Sequence, residues 1–294
     1  MRLPRRIRIP AAIGVLAWIA VATVRASAEP IRIVAAESVY GDIARQIGGE
    51  RVSVESILAS PQQDPHAFEA AVATARAVAD ARFIIYNGAG YDPWMARLLS
   101  PERSPSRVVI EVASLAGKPA GDNPHLWYDV DAMSALASSL EAKLGDIDAG
   151  GASVYRQRAA AFEASMQSLR SRIAAMRARY AGRKVTATEP VFRYMADALG
   201  LAVRNPRFQL AVMNGTEPGP RTIAAFEDDL RNRVVAALIY NTQTGEAMAE
   251  RMRALAERAG VPVVRVSETE PGGMSYQQWM AAQLDALERA LGGP

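Results

Sequence analysis

Hydrophobic positions along this chain fall into short apolar runs separated by longer, periodically apolar stretches, which is the alternation of strand and helix. The plainest stretch lies mid-chain. Between Gly151 and Gly182 no proline or glycine intervenes, and larger apolar residues stand at Tyr155, Phe162, Met166, Leu169, Ile173, Met176 and Tyr180. From Phe162 onward the steps alternate four and three, the period of one helical face. The spacing predicts a helix over 152–180. At about 1.5 Å per residue it would be roughly 43 Å long, where a mean globular helix has only about 11 residues. A helix of that length can serve as a strut between two lobes.

Before the strut, apolar runs at 31–35, 52–58, 83–86 and 108–110 read as strands, and helical patterns occupy 39–47, 68–79, 94–99 and 130–144. Past Gly182 the pattern restarts, with strands at 184–187, 209–213, 234–240 and 261–266 and helices at 191–199, 222–231, 245–259 and 274–291. Asn87-Gly88 stops a strand, and Gly200 and Gly260 close helices. Strands alternating with helices imply a mostly parallel sheet in each half. The expected fold is therefore α/β, with two lobes, each a mostly parallel sheet flanked by helices, joined by one long rigid helix. The boundaries are an N-terminal lobe over 29–150, the linking helix over 151–182 and a C-terminal lobe over 183–294. No residue-level repeat relates the halves.

The first 28 residues stand apart from this pattern. Arg2, Arg5, Arg6 and Arg8 precede a 14-residue apolar core, 11–24, and Ala26-Ser27-Ala28 offers a small-residue cleavage site. This is the form of a secretory signal peptide, with cleavage expected after Ala28; the core falls short of the ~20 residues a spanning helix needs. Removing it alters the charge. With the five arginines at 2, 5, 6, 8 and 25 gone, 29 basic residues face 31 acidic ones, a net of −2. The sequence pI near 9.3 thus belongs largely to the leader, and no nucleic-acid partner is inferred from it. The chain has no cysteine, which removes thiolate metal sites, cysteine nucleophiles and the acceptor of an N-terminal lipid. A free, monomeric periplasmic protein is expected.

In open α/β sheets ligands bind beyond the carboxyl ends of strands. The mature chain has two histidines, and both follow a proline in a loop: Asp64-Pro65-His66-Ala67-Phe68 and Asn123-Pro124-His125-Leu126-Trp127. In the second half, Thr188-Glu189-Pro190 and Ser267-Glu268-Thr269-Glu270-Pro271 follow strands. A lone loop histidine is ordinarily a surface or capping group, and a glutamate near a helix start is ordinarily a cap. Two imidazoles from one half and two carboxylates from the other would nonetheless make a four-ligand metal cage across a cleft. Trp127, Phe68 and Trp279 read as core or lobe-packing residues, and the arginines at 170, 172, 177, 179 and 183 as a solvated helix face. The residues alone leave an exported two-lobed binding protein; a metal-dependent hydrolase and a binding protein for an organic solute stay open beside it.

Beyond these residues, the chain resembles, nearly end to end, the substrate-binding proteins of bacterial zinc/manganese ABC transporters (cluster A-I). The resemblance rests on Gln63-Asp64-Pro65-His66-Ala67-Phe68-Glu69, Ile85-Tyr86-Asn87-Gly88, Asn123-Pro124-His125-Leu126-Trp127 and Thr188-Glu189-Pro190-Val191-Phe192. It implies capture of a divalent metal for an ABC permease, not catalysis. It also implies that His66 and His125 are ligands, that Glu189 is the third, and that a carboxylate after the last strand is the fourth. That last position is normally Asp, and here both Glu268 and Glu270 are available; the strand end and its context favour Glu268. The resemblance implies Zn²⁺ or Mn²⁺ as cargo, with Fe²⁺ compatible with the donors. The family's His-rich loop is absent.

Overall fold

The computed structural model describes residues 29–99, 106–243 and 245–292. The expected signal peptide lies outside them. Among the described residues no helix is long and apolar enough to cross a membrane.

The N-terminal half runs β1 (Ile31–Glu37), α1 (Ser38–Gly48), β2 (Val52–Leu58), α2 (Val72–Asp80), β3 (Phe83–Tyr86), α3 (Pro93–Leu99), β4 (Val108–Glu111), α4 (Val112–Leu115) and α5 (Val130–Ile147). Then comes α6 (Ala152–Tyr180), and after it β5 (Lys184–Ala187), α7 (Arg193–Ala198), β6 (Ala202–Arg204), α8 (Pro206–Met213), α9 (Pro220–Arg231), β7 (Leu238–Asn241), α10 (Ala247–Ala259), β8 (Val263–Val266) and α11 (Tyr276–Ala290). Both sheets are wholly parallel, in the orders β2-β1-β3-β4 and β6-β5-β7-β8. The two halves thus share one winding although no residue-level repeat relates them. Phe83, Ile84 and Ile85 of β3 are buried without remainder, as expected of a strand covered on both faces.

The strut forms as its spacing predicts, and Tyr155, Phe162, Met166, Leu169, Ile173, Met176 and Tyr180 are its buried face. It packs against α1, α5 and α11. One apolar core runs from Ile33 and Phe83 through Phe162 and Met166 to Phe192 and Trp279, so both lobes share it. Tyr128 closes the seam: its ring meets Phe192 at 5.0 Å and Trp279 at 5.7 Å, and its hydroxyl donates to Ser267 O at 2.8 Å. The arginines of the strut are more than a solvated face. Arg170 reaches Asp131 of α5 at 3.1 Å, Arg172 pairs with Asp285 of α11, and Arg179 pairs with Glu288 of α11 at 2.7 Å.

The structure departs from the sequence pattern in the C-terminal lobe. The stretch expected as a strand at 209–213 is the second half of α8, opened by Pro206 at its first turn, with Phe208, Gln209 and Val212 buried at helical spacing. The edge strand is instead the three-residue β6, which pairs with β5 from Lys184↔Ala202 onward. β7 begins at Leu238 and not at 234, and the helix expected from 68 begins at Val72.

Candidate metal centre

Each sheet reverses its strand order beside its first strand, between β1 and β3 and between β5 and β7. A crevice opens at such a switch point. Among the described residues, one cluster of metal-binding side chains forms: His66, His125 and Glu268, whose ligand atoms all lie within 4.8 Å of one another. His66 Nε2 is 3.4 Å and His125 Nε2 3.5 Å from the same oxygen, Glu268 Oε2. The imidazoles come from the N-terminal half and the carboxylate from the other.

Local structure sets each group. Pro65 and an Asx turn, in which His66 N donates to Asp64 Oδ1 at 2.9 Å, shape the first loop. The His66 side chain keeps 38% exposure, whereas those of His125 and Glu268 show 0% and 1%. Solvent therefore reaches the cluster past His66, where a cavity of about 360 Å³ is lined by Phe68, Glu69, Tyr91, Trp94 and Arg97 among others. His125 precedes the 3-10 turn Leu126–Tyr128. Its Nδ1 lies 2.6 Å from Asn123 Oδ1. Asn123 Nδ2 in turn donates to Pro190 O at 2.7 Å, which fixes which end of the amide is the oxygen. Nδ1 therefore carries a proton, which leaves Nε2 as the nitrogen open to a metal. That buried Nε2 has no hydrogen-bond partner. An orphaned, correctly tautomerised imidazole nitrogen aimed at a carboxylate suits a metal ligand.

Glu189 follows β5, just ahead of the 3-10 turn Pro190–Phe192, and is 4% exposed. It stands outside the three-residue cluster but one amide away from it. Asn241 Nδ2 donates to Glu189 Oε2 at 3.0 Å and to Glu268 Oε1 at 2.7 Å. Glu270 turns elsewhere. Its backbone N–H donates to Ser38 Oγ at 3.2 Å, and burial, with Asp42 adding repulsion, pushes its carboxyl up to about 8. The structure thus brings Glu268 and not Glu270 to the imidazoles. The tryptophans are packing residues: Trp127 is 0% and Trp279 2% exposed.

Electrostatics follow from the geometry. The Glu268 carboxylate beside His66 raises that imidazole from 6.5 to about 9, against the opposing effect of burial. Burial pushes Glu268 up, but the two imidazoles outweigh it and hold the carboxylate well below its ordinary range.

Several residues here carry no motif. Asn241 and Gln243 lie at the end of β7, and Gln243 ties the loops together. Its Oε1 accepts from Glu268 N at 2.7 Å and Thr269 N at 2.8 Å, and its Nε2 donates to Gln63 O at 2.9 Å in the His66 loop. The strand-end rule, applied to β7, points to this Asn241-Thr242-Gln243 segment.

A two-lobed fold with parallel sheets, a helical strut and a His/carboxylate cluster at the seam defines a substrate-binding protein of the metal type. The family model described as the periplasmic component A of the zinc-uptake complex matches residues 33–290, and the chain belongs to that family. This is a family of ABC-importer substrate-binding proteins and not of enzymes, so the hydrolase alternative falls. The chain is similar to the manganese-binding lipoprotein MntA of Halalkalibacterium halodurans, at 26% identity over 84% of this chain and 81% of the relative. In fold it is similar to the substrate-binding protein FpvC of Pseudomonas aeruginosa, solved with Mn²⁺, at a TM-score of 0.73 and 22% identity, covering 90% of this chain and 98% of that one. It is also similar to the periplasmic zinc-binding protein TroA of Treponema pallidum, at a TM-score of 0.72 and 19% identity, covering 90% and 99%.

Proposed function

We propose that His66, His125, Glu268 and Glu189 hold one divalent cation, Zn²⁺ or Mn²⁺, which the protein presents to the membrane permease of an ABC importer. The observation that carries this reading is the convergence of three ligand atoms from opposite lobes within 4.8 Å, with the Nε2 of His125 left without any other partner. Two neutral imidazoles and two carboxylates give the site a charge of −2, which balances a dication as it leaves water. Nitrogen donors beside carboxylate oxygens suit Zn²⁺, Mn²⁺ and Fe²⁺ alike. Relatives and fold neighbours named for manganese and for zinc support the same pair of candidates.

Several relatives are named lipoproteins. These 294 residues contain no cysteine to carry such a lipid, and a free, monomeric protein in the periplasm is the form we infer. The lobes then span 29–150 and 183–294 about the linking helix. Titration of the purified protein with Zn²⁺ and with Mn²⁺ against a competing chelator tests the site. His66→Ala is expected to abolish tight binding while the metal-free protein keeps its circular dichroism. An unchanged affinity in that variant would overturn the reading.

A further inference from the structure

Tyr91 stands at the centre of the site and belongs to none of the motifs that mark it. The turn after β3 throws it there: Gly88, Ala89 and Gly90 all take left-handed φ, at +77°, +51° and +86°. Asp92 braces that turn by accepting from Asn87 N at 2.6 Å and Gly88 N at 2.9 Å. The Tyr91 ring meets His66 at 5.5 Å, His125 at 6.1 Å and Trp127 at 5.1 Å, each edge-on. Its hydroxyl donates across the lobe seam to Glu268 Oε2 at 2.8 Å. This is the oxygen that both imidazoles face, while the other, Oε1, is held by Asn241 at 2.7 Å.

Both carboxylate oxygens are therefore already engaged. Oε2 faces both imidazoles, at 3.4 and 3.5 Å, and that is the side from which it would meet an ion. Rotating the carboxylate to grip an ion through both oxygens would cost the bond to Tyr91 or the bond to Asn241. A neutral phenol is a donor and not a competing anion, so it can stay in place while Oε2 binds metal. We propose that Tyr91 is a specificity-determining positioning residue: with Asn241 it restricts Glu268 to one-oxygen coordination and so favours a small, four-coordinate ion over a larger one. Zn²⁺ is commonly four-coordinate and tetrahedral, whereas Mn²⁺ takes more oxygen donors in octahedral sites. The inference rests on the reading of His66, His125 and Glu268 as ligands.

The test compares wild type, Tyr91→Phe, Asn241→Ala and Glu268→Ala by competition titration with Zn²⁺ and with Mn²⁺, and by the visible spectrum of the Co²⁺-loaded protein. Removing the phenol hydroxyl is expected to weaken Zn²⁺ binding by about 10-fold, the lower end for a group that orients a ligand, and to weaken Mn²⁺ less, narrowing the ratio. The Co²⁺ bands, which report coordination number, are expected to weaken towards six-coordinate intensity. Asn241→Ala frees the other oxygen and should narrow the ratio in the same direction, which keeps the test alive should Tyr91→Phe fail to fold. A ratio and spectrum unchanged in both variants, with Glu268→Ala still abolishing binding, would overturn the role of Tyr91 and leave the site standing. Full binding by Glu268→Ala would overturn both.

Discussion

His66 and His125 sit in similar Pro-His loops, yet one faces solvent and the other is sealed. For His125 the tautomer depends on a single acceptor, Asn123 Oδ1. Asn123→Ala frees the ring to protonate at the wrong nitrogen, and loss of such an orienting partner typically costs about 10- to 100-fold in metal affinity. A chelator competition on Asn123→Ala should read a weakening in that range. His66 gives a pH signature instead. Raised from 6.5 to about 9 by Glu268, it carries a proton in the metal-free protein at neutral pH, and a metal entering the proposed site would have to displace that proton. Apparent affinity is expected to climb with pH up to about 9 and then level, with proton release visible as a buffer-dependent heat. The raised value also sets the sign for folding. The His66–Glu268 pair stabilises the metal-free protein fully below 6.5 and loses that contribution as pH rises through about 9. The melting temperature of the metal-free wild type should fall more across this window than that of His66→Ala.

At the scale of elements, what was legible followed from length and period. The 29-residue helix α6 repeats its apolar spacing five times and could be placed to the residue. The run Gln209-Leu210-Ala211-Val212-Met213 was too short to separate helix from strand, and Pro206, the helix opener, lies outside it. The edge strand β6 has only three residues, and its short apolar run, Leu201-Ala202-Val203, follows directly on the helix-closing Gly200. Of the cluster, the two histidines and a glutamate after β8 were legible because strand ends in α/β folds collect ligands, whereas Glu189, after β5, stands outside it. The supports of the cluster were not legible. Asn123, Asn241, Gln243 and Tyr91 are ordinary loop residues until the fold supplies their partners, and the bend at Glu268-Thr269 decides which glutamate faces the imidazoles. Gln243 shows what such a support does. It joins the β8 loop to the His66 loop through Gln63 O. Gln243→Ala leaves the backbone N–H groups of Glu268 and Thr269 buried without that partner, at about 1–3 kcal/mol each. The expected outcome is a lower melting temperature and faster metal release in stopped-flow chelation, with the association rate little changed.

At the scale of the molecule, the two sheets have the look of independent units, since each closes its own four-strand winding. The packing argues otherwise. A single apolar core passes through α6 into both lobes, and Tyr128 from one half packs on Phe192 and Trp279 of the other. Neither lobe can unfold without exposing apolar surface that the other covers, so the chain should melt as one cooperative unit despite its two sheets. Phe162 is the sharpest probe, because it lies mid-strut at 3% exposure. Phe162→Ala should cost about 3–5 kcal/mol and shift one calorimetric transition without splitting it, whereas separate transitions for the lobes would mean the strut carries no coupling. Metal bound at the proposed seam site would act on the same equilibrium: at a free concentration of about 100 times its Kd it would add roughly 2.7 kcal/mol, and that gain should also appear as a shift of the whole transition. A rigid strut with a shared core also limits the lobe movement available on loading. Small-angle scattering should therefore show nearly the same radius of gyration with and without metal; a clear contraction on loading would mean that the shared core does not hold the lobes together.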